Sequence, residues 1–318
     1  MPKVRIRAAR AADKADVEAL CAEVWEDAED YVPRAWDGWL ADPHGKLAVA
    51  QLGGCVVGVA KLTRLADDEW WLEGLRVSPD HRRRGVAGRL QAHLVEEFRR
   101  IGQGTLRFGT HSRNEPVHRL AARDGFRRAA TYRLYEAAPL APDQAPPLRP
   151  LREDDLEAAW GLVDGSPRYR AAAGLYETFW SWQRLTRPRL AEELAQGRGR
   201  GVDQHHQLAA LALLCQTDKE DALDVAYVDG RGAAVEAALR SLRALAARRG
   251  CDKLRLRAVD EPGLVAAAAG AGYEPGWDRD LWIFELAAGT PPTRISARAA
   301  TEPQRLDTGR RATARAHP

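Results

Sequence analysis

The stretch 76-RVSPDHRRRGVAGRL-90 joins an apolar, strand-like segment to the start of a predicted helix. Three consecutive arginines lie in the turn, and the small residues Gly85, Ala87 and Gly88 follow them. The positive end of the helix dipole makes this an unfavourable place for positive side chains on their own. Small residues leave the first backbone N–H groups of the helix open, and such groups bind phosphate together with arginine. The stretch therefore predicts an anion site at the start of this helix.

The glycine spacing matches neither GxxxxGK[ST] nor GxGxxG, which disfavours a P-loop or a Rossmann dinucleotide site. The surrounding sequence alternates strand and helix patterns, with a hairpin signal at Gly53-Gly54. Predicted strands cover 4–8, 46–62 as the hairpin, 69–77, 105–110 and 128–137; predicted helices cover 13–25, a short segment from Pro33, 85–101 and 115–124.

In this context, 73-EGLRVSPDHRRRGVAGRL-90 resembles the signature of the GNAT superfamily, the acyl-CoA-dependent N-acyltransferases. That family has [R/Q]xxGx[G/A] after a strand ending in an apolar-x-Val-x-Pro run; the matching residues here are Leu75, Val77, Pro79, Arg82, Gly85 and Ala87. The later segment 114-NEPVHRLAARDGF-126 is similar to the family's Asn…Gly-Phe helix. The resemblance covers residues 3–137. It implies an α/β fold in which a mixed, V-splayed sheet holds acetyl-CoA in its split.

The resemblance also implies roles in cofactor binding. Backbone groups of Leu75 and Val77 would contact the pantetheine arm, and an N–H near Leu75 or Arg76 would be the oxyanion donor. The residues expected around the pyrophosphate are Arg82, Arg83, Arg84, Gly85, Val86, Ala87 and Gly88. Asn114, the only asparagine in the chain, corresponds to a cofactor contact in the family, and its alternative role is to cap the following helix.

Glu73 is the candidate general base. It lies two residues before Leu75, and strand alternation predicts that both side chains share one face. A carboxylate partly desolvated by Trp70 and Trp71 would remove the ammonium proton directly or through water. The alternatives are a solvent-facing Glu73 paired with an arginine, and Glu69 as the base.

The general acid is where the chain departs from the family. Many members carry a tyrosine seven residues after the asparagine, and this chain has Ala121 there. His118, one helical turn earlier, is a candidate because histidine titrates near neutrality. A structural role for His118 is the alternative, and Tyr132 and Tyr135 are further candidates.

The pattern begins again after a proline-rich segment. The pair Arg7 and Asp13 is echoed by Arg149 and Asp155, and 125-GF-126 by 272-GY-273. We predict two tandem GNAT-like domains, 1–140 (competent) and 151–287 (degenerate), joined by a linker at 141–150 and followed by a disordered basic tail at 288–318. In the second half, the counterpart of the turn at residues 82–88 is 227-YVDGRGAAVEAAL-239. It keeps one arginine and adds Asp229, which would repel phosphate. A structural or pocket-shaping role is therefore expected for the second domain.

Composition limits the partners. The net charge of the chain is +3. The six arginines of the tail alone exceed this charge, so the body of the chain is close to neutral. A nucleic-acid partner is not expected. There is no apolar run of membrane length and no signal peptide, so neither a membrane partner nor export is expected. The four scattered cysteines predict buried thiols in a reducing cytoplasm and no metal site.

These observations together predict a cytoplasmic N-acetyltransferase that transfers the acetyl group of acetyl-CoA to a primary amine. The acceptor is expected to be a small molecule or amino acid that attacks directly in a ternary complex. Two alternatives stay open: a catalytically silent acyl-CoA-binding sensor, and a protein or peptide acetyltransferase. The oligomeric state is not predicted.

Overall fold

A computed structural model describes residues 3–24, 30–215 and 221–290. The first half contains β1 (Arg5–Ala8), α1 (Lys14–Val24), α2 (Val32–Ala41), β2 (Lys46–Leu52), β3 (Cys55–Ala66), β4 (Glu69–Val77), α3 (Val86–Ile101), β5 (Thr105–His111), α4 (Glu115–Asp124) and β6 (Arg127–Ala137). The second half contains β7 (Arg149–Pro150), α5 (Leu156–Val163), α6 (Pro167–Ala171), β8 (Leu175–Glu177), β9 (Trp182–Arg184), α7 (Arg187–Ala195), β10 (Gly199–Gln204), β11 (Gln207–Leu214), β12 (Ala222–Gly230), α8 (Ala233–Arg248), β13 (Lys253–Val259), α9 (Pro262–Gly270), β14 (Glu274–Pro275) and β15 (Leu281–Ala287). The predicted α/β order of the first half is confirmed.

The strands form one continuous sheet of 13 strands instead of a separate sheet in each half. Its order is β1-β2-β3-β4-β5-β15-β6-β13-β12-β11-β10-β7, with β14 beside β6. The pairs β4–β5 and β12–β13 are parallel, and the other pairs along this path are antiparallel. The sheet is continuous because the last strand of each half pairs with a strand of the other half.

This exchange places β15 between β5 and β6, while β6 also pairs with β13. Both faces of β15 are covered: Ile283 packs into one core, and Phe284 and Leu286 pack into the core beneath α3. The domain limits 1–140 and 151–287 stay a prediction, but the chain segment 281–287 contributes to the sheet of the first half. The expected linker ends in β7, whose residues pair with β10.

The internal repeat is visible in matching local geometry. Nη1 and Nη2 of Arg7 each donate to Asp13 at 2.7 Å, and Nη1 and Nη2 of Arg149 donate to Asp155 at 3.0 and 2.9 Å. Each aspartate also accepts the backbone N–H three residues before it at 2.8 Å. Two copies of the same turn at matching places are what a duplicated domain would contain.

The hairpin formed by β8 and β9 packs against the sheet. The indole of Trp182 lies 5.9 Å from that of Trp71 and 5.5 Å from the ring of Tyr132. Phe179 and Trp180, at the tip of this hairpin, are exposed. The aromatic run therefore packs between the halves at Trp182 and faces solvent at its tip.

The cysteines differ in part from expectation: all four are free, but only Cys21 is buried, while Cys215 and Cys251 are half-buried and Cys55 is exposed at the β2–β3 hairpin. No helix within the described ranges is long and apolar enough to cross a membrane. The predicted tail lies, from residue 291 onward, outside the described residues.

Candidate functional site

The sheet opens between β4 and β5. These strands pair through Glu69–Thr105, Trp70–Leu106 and Trp71–Arg107, and no further pair joins them in the described part of the chain. Three residues beyond the last pair, β4 has a bulge at Gly74, where φ is +63° and the strand register shifts. A Cβ there would lie 2.5 Å from the Trp39 ring, so glycine is required both for the φ angle and for space. Because a bulge bends its strand, β4 and β5 diverge into a V-shaped gap.

The turn at residues 82–88, where the sequence predicts an anion site, follows β4 and leads into α3. Gly85 is the N-cap of α3 with φ of +76°, and Arg83 also has a left-handed φ of +60°. The first backbone bond of the helix runs from Arg89 N–H to Gly85 C=O. The N–H groups of residues 83–88 make no hydrogen bond to any residue in the described ranges. They are free to bind an anion.

The side chains around the turn fit the same ligand. The side chains of Arg82, Arg83 and Arg84 are exposed and form no hydrogen bond or ion pair with the described residues. A Cβ added to Gly85 would meet nothing within 4 Å, so the space above the helix N-terminus is open. Unpaired amides and guanidinium groups around an open position suit a pyrophosphate.

Two residues of the turn have packing roles in addition. Val86 is buried in the core beneath α3. A Cβ on Gly88 would lie 2.6 Å from Nη1 of Arg123 on α4, and Nη2 of that arginine donates to the Gly88 carbonyl at 3.0 Å. Glycine at this position therefore lets α3 and α4 approach closely. Ala87 is half-buried.

The part of β4 from Gly74 onward is held by two residues that precede α2. Arg76 forms a two-pronged ion pair with the buried Asp30, at 2.6 and 3.0 Å, and donates to the Leu75 carbonyl at 3.2 Å. Tyr31 Oη accepts the Gly74 N–H at 3.1 Å. One backbone group expected to contact the pantetheine arm is thus already engaged by a side chain.

The expectation that Glu73 and Leu75 share a face is wrong. Leu72, Leu75 and Val77 all pack against the core beneath α3, so the alternation reverses between Leu72 and Leu75. The bulge at Gly74 inserts the extra residue that causes this reversal. Glu73 consequently lies on the opposite face from Leu75.

Glu73 has a defined polar environment on that face. Thr63 Oγ1 donates to its Oε1 at 2.5 Å, and Lys61 is its direct cross-strand neighbour. Burial raises the pKa of the Glu73 carboxyl above its usual range, while the Thr63 hydrogen bond and the Lys61 charge act in the opposite direction. The solvent-facing alternative for Glu73 is not what the structure has.

The sequence analysis missed Lys61 and Asp42. The Lys61 side chain is fully buried, and its Nζ donates to Asp42 Oδ2 at 2.5 Å. A single lysine in the apolar strand 55-CVVGVAKLTRLA-66 was the available signal. Glu69, the alternative base, is buried in an ion pair with Arg107 and has a structural role.

Asn114 and His118 lie on α4 and its N-cap. The Asn114 side chain does not cap the helix; its Nδ2 donates to Thr110 Oγ1 at 3.0 Å. His118 Nε2 lies 3.2 Å from the His111 carbonyl, and its ring stacks on Trp282 at 4.6 Å. These contacts hold the imidazole in the α4–β15 interface, which favours the structural alternative.

The other positions considered for the general acid are no better. Ala121 has no acidic group and is buried in the core beneath α3. Tyr132 is buried and donates to the Leu175 carbonyl at 3.3 Å, and burial raises the pKa of its hydroxyl. Tyr135 is also buried.

Two parallel strands of the second half also stop pairing part of the way along, and an arginine forms ion pairs beyond their last pair. Strands β12 and β13 pair from Ala222–Lys253 to Val225–Leu256. Beyond these pairs, Arg168 donates to Asp229 on β12 at 3.2 Å and forms an ion pair with Glu261, the N-cap of α9, at 3.1 Å. One arginine therefore bridges the two diverging strand ends. Among residues 3–24, 30–215 and 221–290, no cluster of three or more His, Cys, Asp or Glu residues could hold a metal ion.

Comparison with known proteins gives the same picture of the fold. Residues 11–126 match the acetyltransferase (GNAT) family model. The chain is 38% identical over 76 residues to the human "Probable N-acetyltransferase 16" and 37% identical over 68 residues to the "Histidine N-acetyltransferase" of Oreochromis niloticus. These segments cover 24% and 21% of this chain but only 21% and 20% of the relatives, about a fifth of their length.

A solved structure, the "Tandem GNAT protein from the clavulanic acid biosynthesis pathway (without AcCoA)", aligns with 91% of this chain and 100% of its own at 18% identity and a TM-score of 0.55. At this identity the likeness concerns the fold alone. The fold covers both halves, and the family match covers the split and the cofactor turn. Residues 11–126 are thus similar to the GNAT acetyltransferase family, and the fold of the chain is similar to that of a tandem GNAT protein.

Proposed function

We propose that this protein is an acetyl-CoA-dependent N-acetyltransferase whose first half carries the active site. The observation that carries the proposal is the open anion site at residues 83–88 beside the gap between β4 and β5. The amides and the three unpaired arginines of the turn would hold the pyrophosphate, and the gap would admit the pantetheine arm. The bound thioester supplies an activated acyl group.

The acceptor in this proposal is a primary amine of a small molecule or amino acid. One relative is named a histidine N-acetyltransferase, which supports an amino acid as acceptor. The amine would attack directly in a ternary complex. The local sequence of the cofactor turn contains no cysteine that would form a covalent acyl-enzyme.

The residues around the gap would carry out the proton transfers. Glu73, ionised, removes a proton from the incoming ammonium and leaves the amine nucleophilic. A backbone N–H at Leu75 or Arg76 donates to the carbonyl oxygen as negative charge develops there. Water supplies the proton of the departing thiolate, since Ala121 has no acidic group and His118 is engaged in the α4–β15 interface.

The second half serves a structural role in this scheme. The ion pairs of Arg168 with Asp229 and Glu261, beyond the last β12–β13 pair, support this role. The second half would act instead through β15, which completes the sheet beside β5.

A catalytically silent acyl-CoA sensor is the second candidate, and the engaged His118 together with Ala121 favours it. Titration of the protein with acetyl-CoA, with and without a panel of amino acids and small amines, separates the two. The acetyltransferase proposal expects release of free thiol that depends on one class of amine. Tight acetyl-CoA binding with no thiol release across the panel would favour the sensor, and absence of binding would overturn both.

A further inference from the structure

Lys61 is a buried cation whose ion-pair partner among the described residues is a more exposed carboxylate, that of Asp42. Its side chain has no solvent exposure, whereas that of Asp42 is 25% exposed. The surroundings are tight, since a Cβ on Gly45 would lie 2.0 Å from Lys61 Nζ. A buried ion pair of this kind seldom stabilises a fold more than apolar residues of the same volume would. Fold stability alone therefore does not account for this charge.

The position of Lys61 relates it directly to Glu73. The two residues are register partners on β3 and β4, so their side chains share a face, with Cβ atoms roughly 5 Å apart. Thr63, two residues along β3, donates to the same carboxylate. The gap begins on this face immediately beyond Trp71, the last residue of β4 paired with β5. The buried ammonium thus lies beside the proposed base at the edge of the proposed active site.

The negative charge of Asp42 offsets part of the effect of the Lys61 charge on Glu73. It accepts from Lys61 and, through Oδ1, from the His44 N–H at 2.9 Å. Burial opposes its ionisation, but these hydrogen bonds lower its pKa overall, so it remains an anion. The Asp42 charge raises the pKa of Glu73 while the Lys61 charge lowers it.

The other charged or titratable groups near Glu73 are few. Tyr31, before α2, is close enough for the Glu73 charge to raise the pKa of its hydroxyl, although burial is the larger cause. Arg76 is paired with Asp30 and lies 5.5 Å from the Tyr31 ring. Low solvent access at Lys61 leaves its field little screened by salt.

We infer that Lys61 is a positioning residue for the acyl transfer, a buried charge that keeps Glu73 ionised when the ammonium substrate arrives, with Asp42 setting the strength of that effect. This inference rests on the proposed function, because it assumes that Glu73 is the base. The proton balance is unchanged: Glu73 takes the proton, and Lys61 only stabilises the carboxylate that receives it.

The test uses the full-length protein with the Lys61→Met and Asp42→Asn variants. Methionine matches the length of the lysine side chain, and Asp42 keeps its backbone partner and some solvent access, so we expect Lys61→Met to fold. The two substitutions should act in opposite directions. Lys61→Met should move the acid limb of the kcat/KM profile to higher pH, and Asp42→Asn should move it to lower pH. At high pH the Lys61→Met variant should recover most of its activity.

A second measurement does not depend on activity. NMR titration of protein labelled with ¹³C at the glutamate carboxyl carbons, with Glu73→Gln to assign the signal, reports ionisation of Glu73 directly. Opposite shifts of this titration in the two variants would support the inference even if the protein acetylates no amine, an outcome that would instead defeat the proposed function. An unshifted Glu73 titration in folded Lys61→Met, or a loss of activity equal at every pH, would overturn it.

Discussion

The ring of Phe284 stacks on the ring of Phe108, with centroids 5.2 Å apart and planes 12° apart. Phe108 lies on β5 beside the proposed cofactor site, and Phe284 lies on β15, the last strand of the described residues. The ring of Phe126 also contacts that of Phe108 in an edge arrangement, with centroids 5.0 Å apart. The core beneath α3 in the first half is therefore completed by an aromatic residue from the second half.

Replacing Phe284 by alanine should destabilise the protein by about 3–5 kcal/mol, the usual cost of removing a buried phenylalanine. Urea denaturation followed by circular dichroism measures the change. Phe179→Ala is the matched control: it removes the same side chain from an exposed hairpin tip, and surface substitutions typically alter stability by less than about 0.5 kcal/mol. Equal losses for the two variants would contradict the proposed importance of the strand exchange.

A fragment of residues 1–140 should not fold into a stable monomer, because it lacks β15 and leaves the edges of β5 and β6 unpaired. Size-exclusion chromatography and circular dichroism test this. Co-expression of residues 141–318 should restore a soluble complex. A fragment that is monomeric, cooperative in unfolding and able to bind acetyl-CoA would show that β15 is dispensable.

Gly85→Glu should weaken acetyl-CoA binding at least tenfold, a loss of about 1.4 kcal/mol or more, since it puts a carboxylate where the phosphates should lie. Gly53→Glu is the control, because Gly53 also has a left-handed φ, +59°, and open space around it. The control carries the same charge and backbone strain in the β2–β3 turn. Calorimetric titration should show a loss of affinity in Gly85→Glu only; similar affinities in both variants would count against the anion site.

The same titration should give one acetyl-CoA per chain. Arg168 is already paired with Asp229 and Glu261 in the second half, so it is not a free cation for a phosphate, and the Asp229 carboxylate would repel one. Gly85→Glu should then leave no residual tight binding. A stoichiometry of two, or a remaining half of the sites in Gly85→Glu, would show that the second half binds the cofactor.

Glu73→Gln should lower kcat/KM by about 10²–10⁴-fold, the usual contribution of a positioned general base. Burial raises the pKa of the carboxyl, and a base acts only when ionised. The wild-type rate should therefore rise with pH through that raised pKa, and the variant should lack this limb. Glu96→Gln, at an exposed position of α3, is the control. Unchanged activity and pH dependence in Glu73→Gln would exclude Glu73 as the base.

Local features of the site were predictable because they follow from neighbouring residues. The turn at residues 82–88, the helix that starts at Val86 and the Gly53-Gly54 hairpin each depend on short-range backbone preferences. The reversal at Gly74 was not predictable from strand alternation, since a bulge forms only when the partner strand β3 sets the register. That single residue moved Glu73 to the face opposite Leu75.

The amino-acid sequence by itself determined the order of helices and strands in the first half, the repeated arginine–aspartate pattern and the turn before α3, because periodicity, glycine placement and spacing act over a few residues. Only the tertiary structure decided that β15 lies between β5 and β6, that Lys61 is buried beside Glu73 with Asp42, and that Arg168 forms ion pairs beyond the last β12–β13 pair. These pairings join residues far apart in the chain, and their formation depends on which surfaces pack together once both halves are folded.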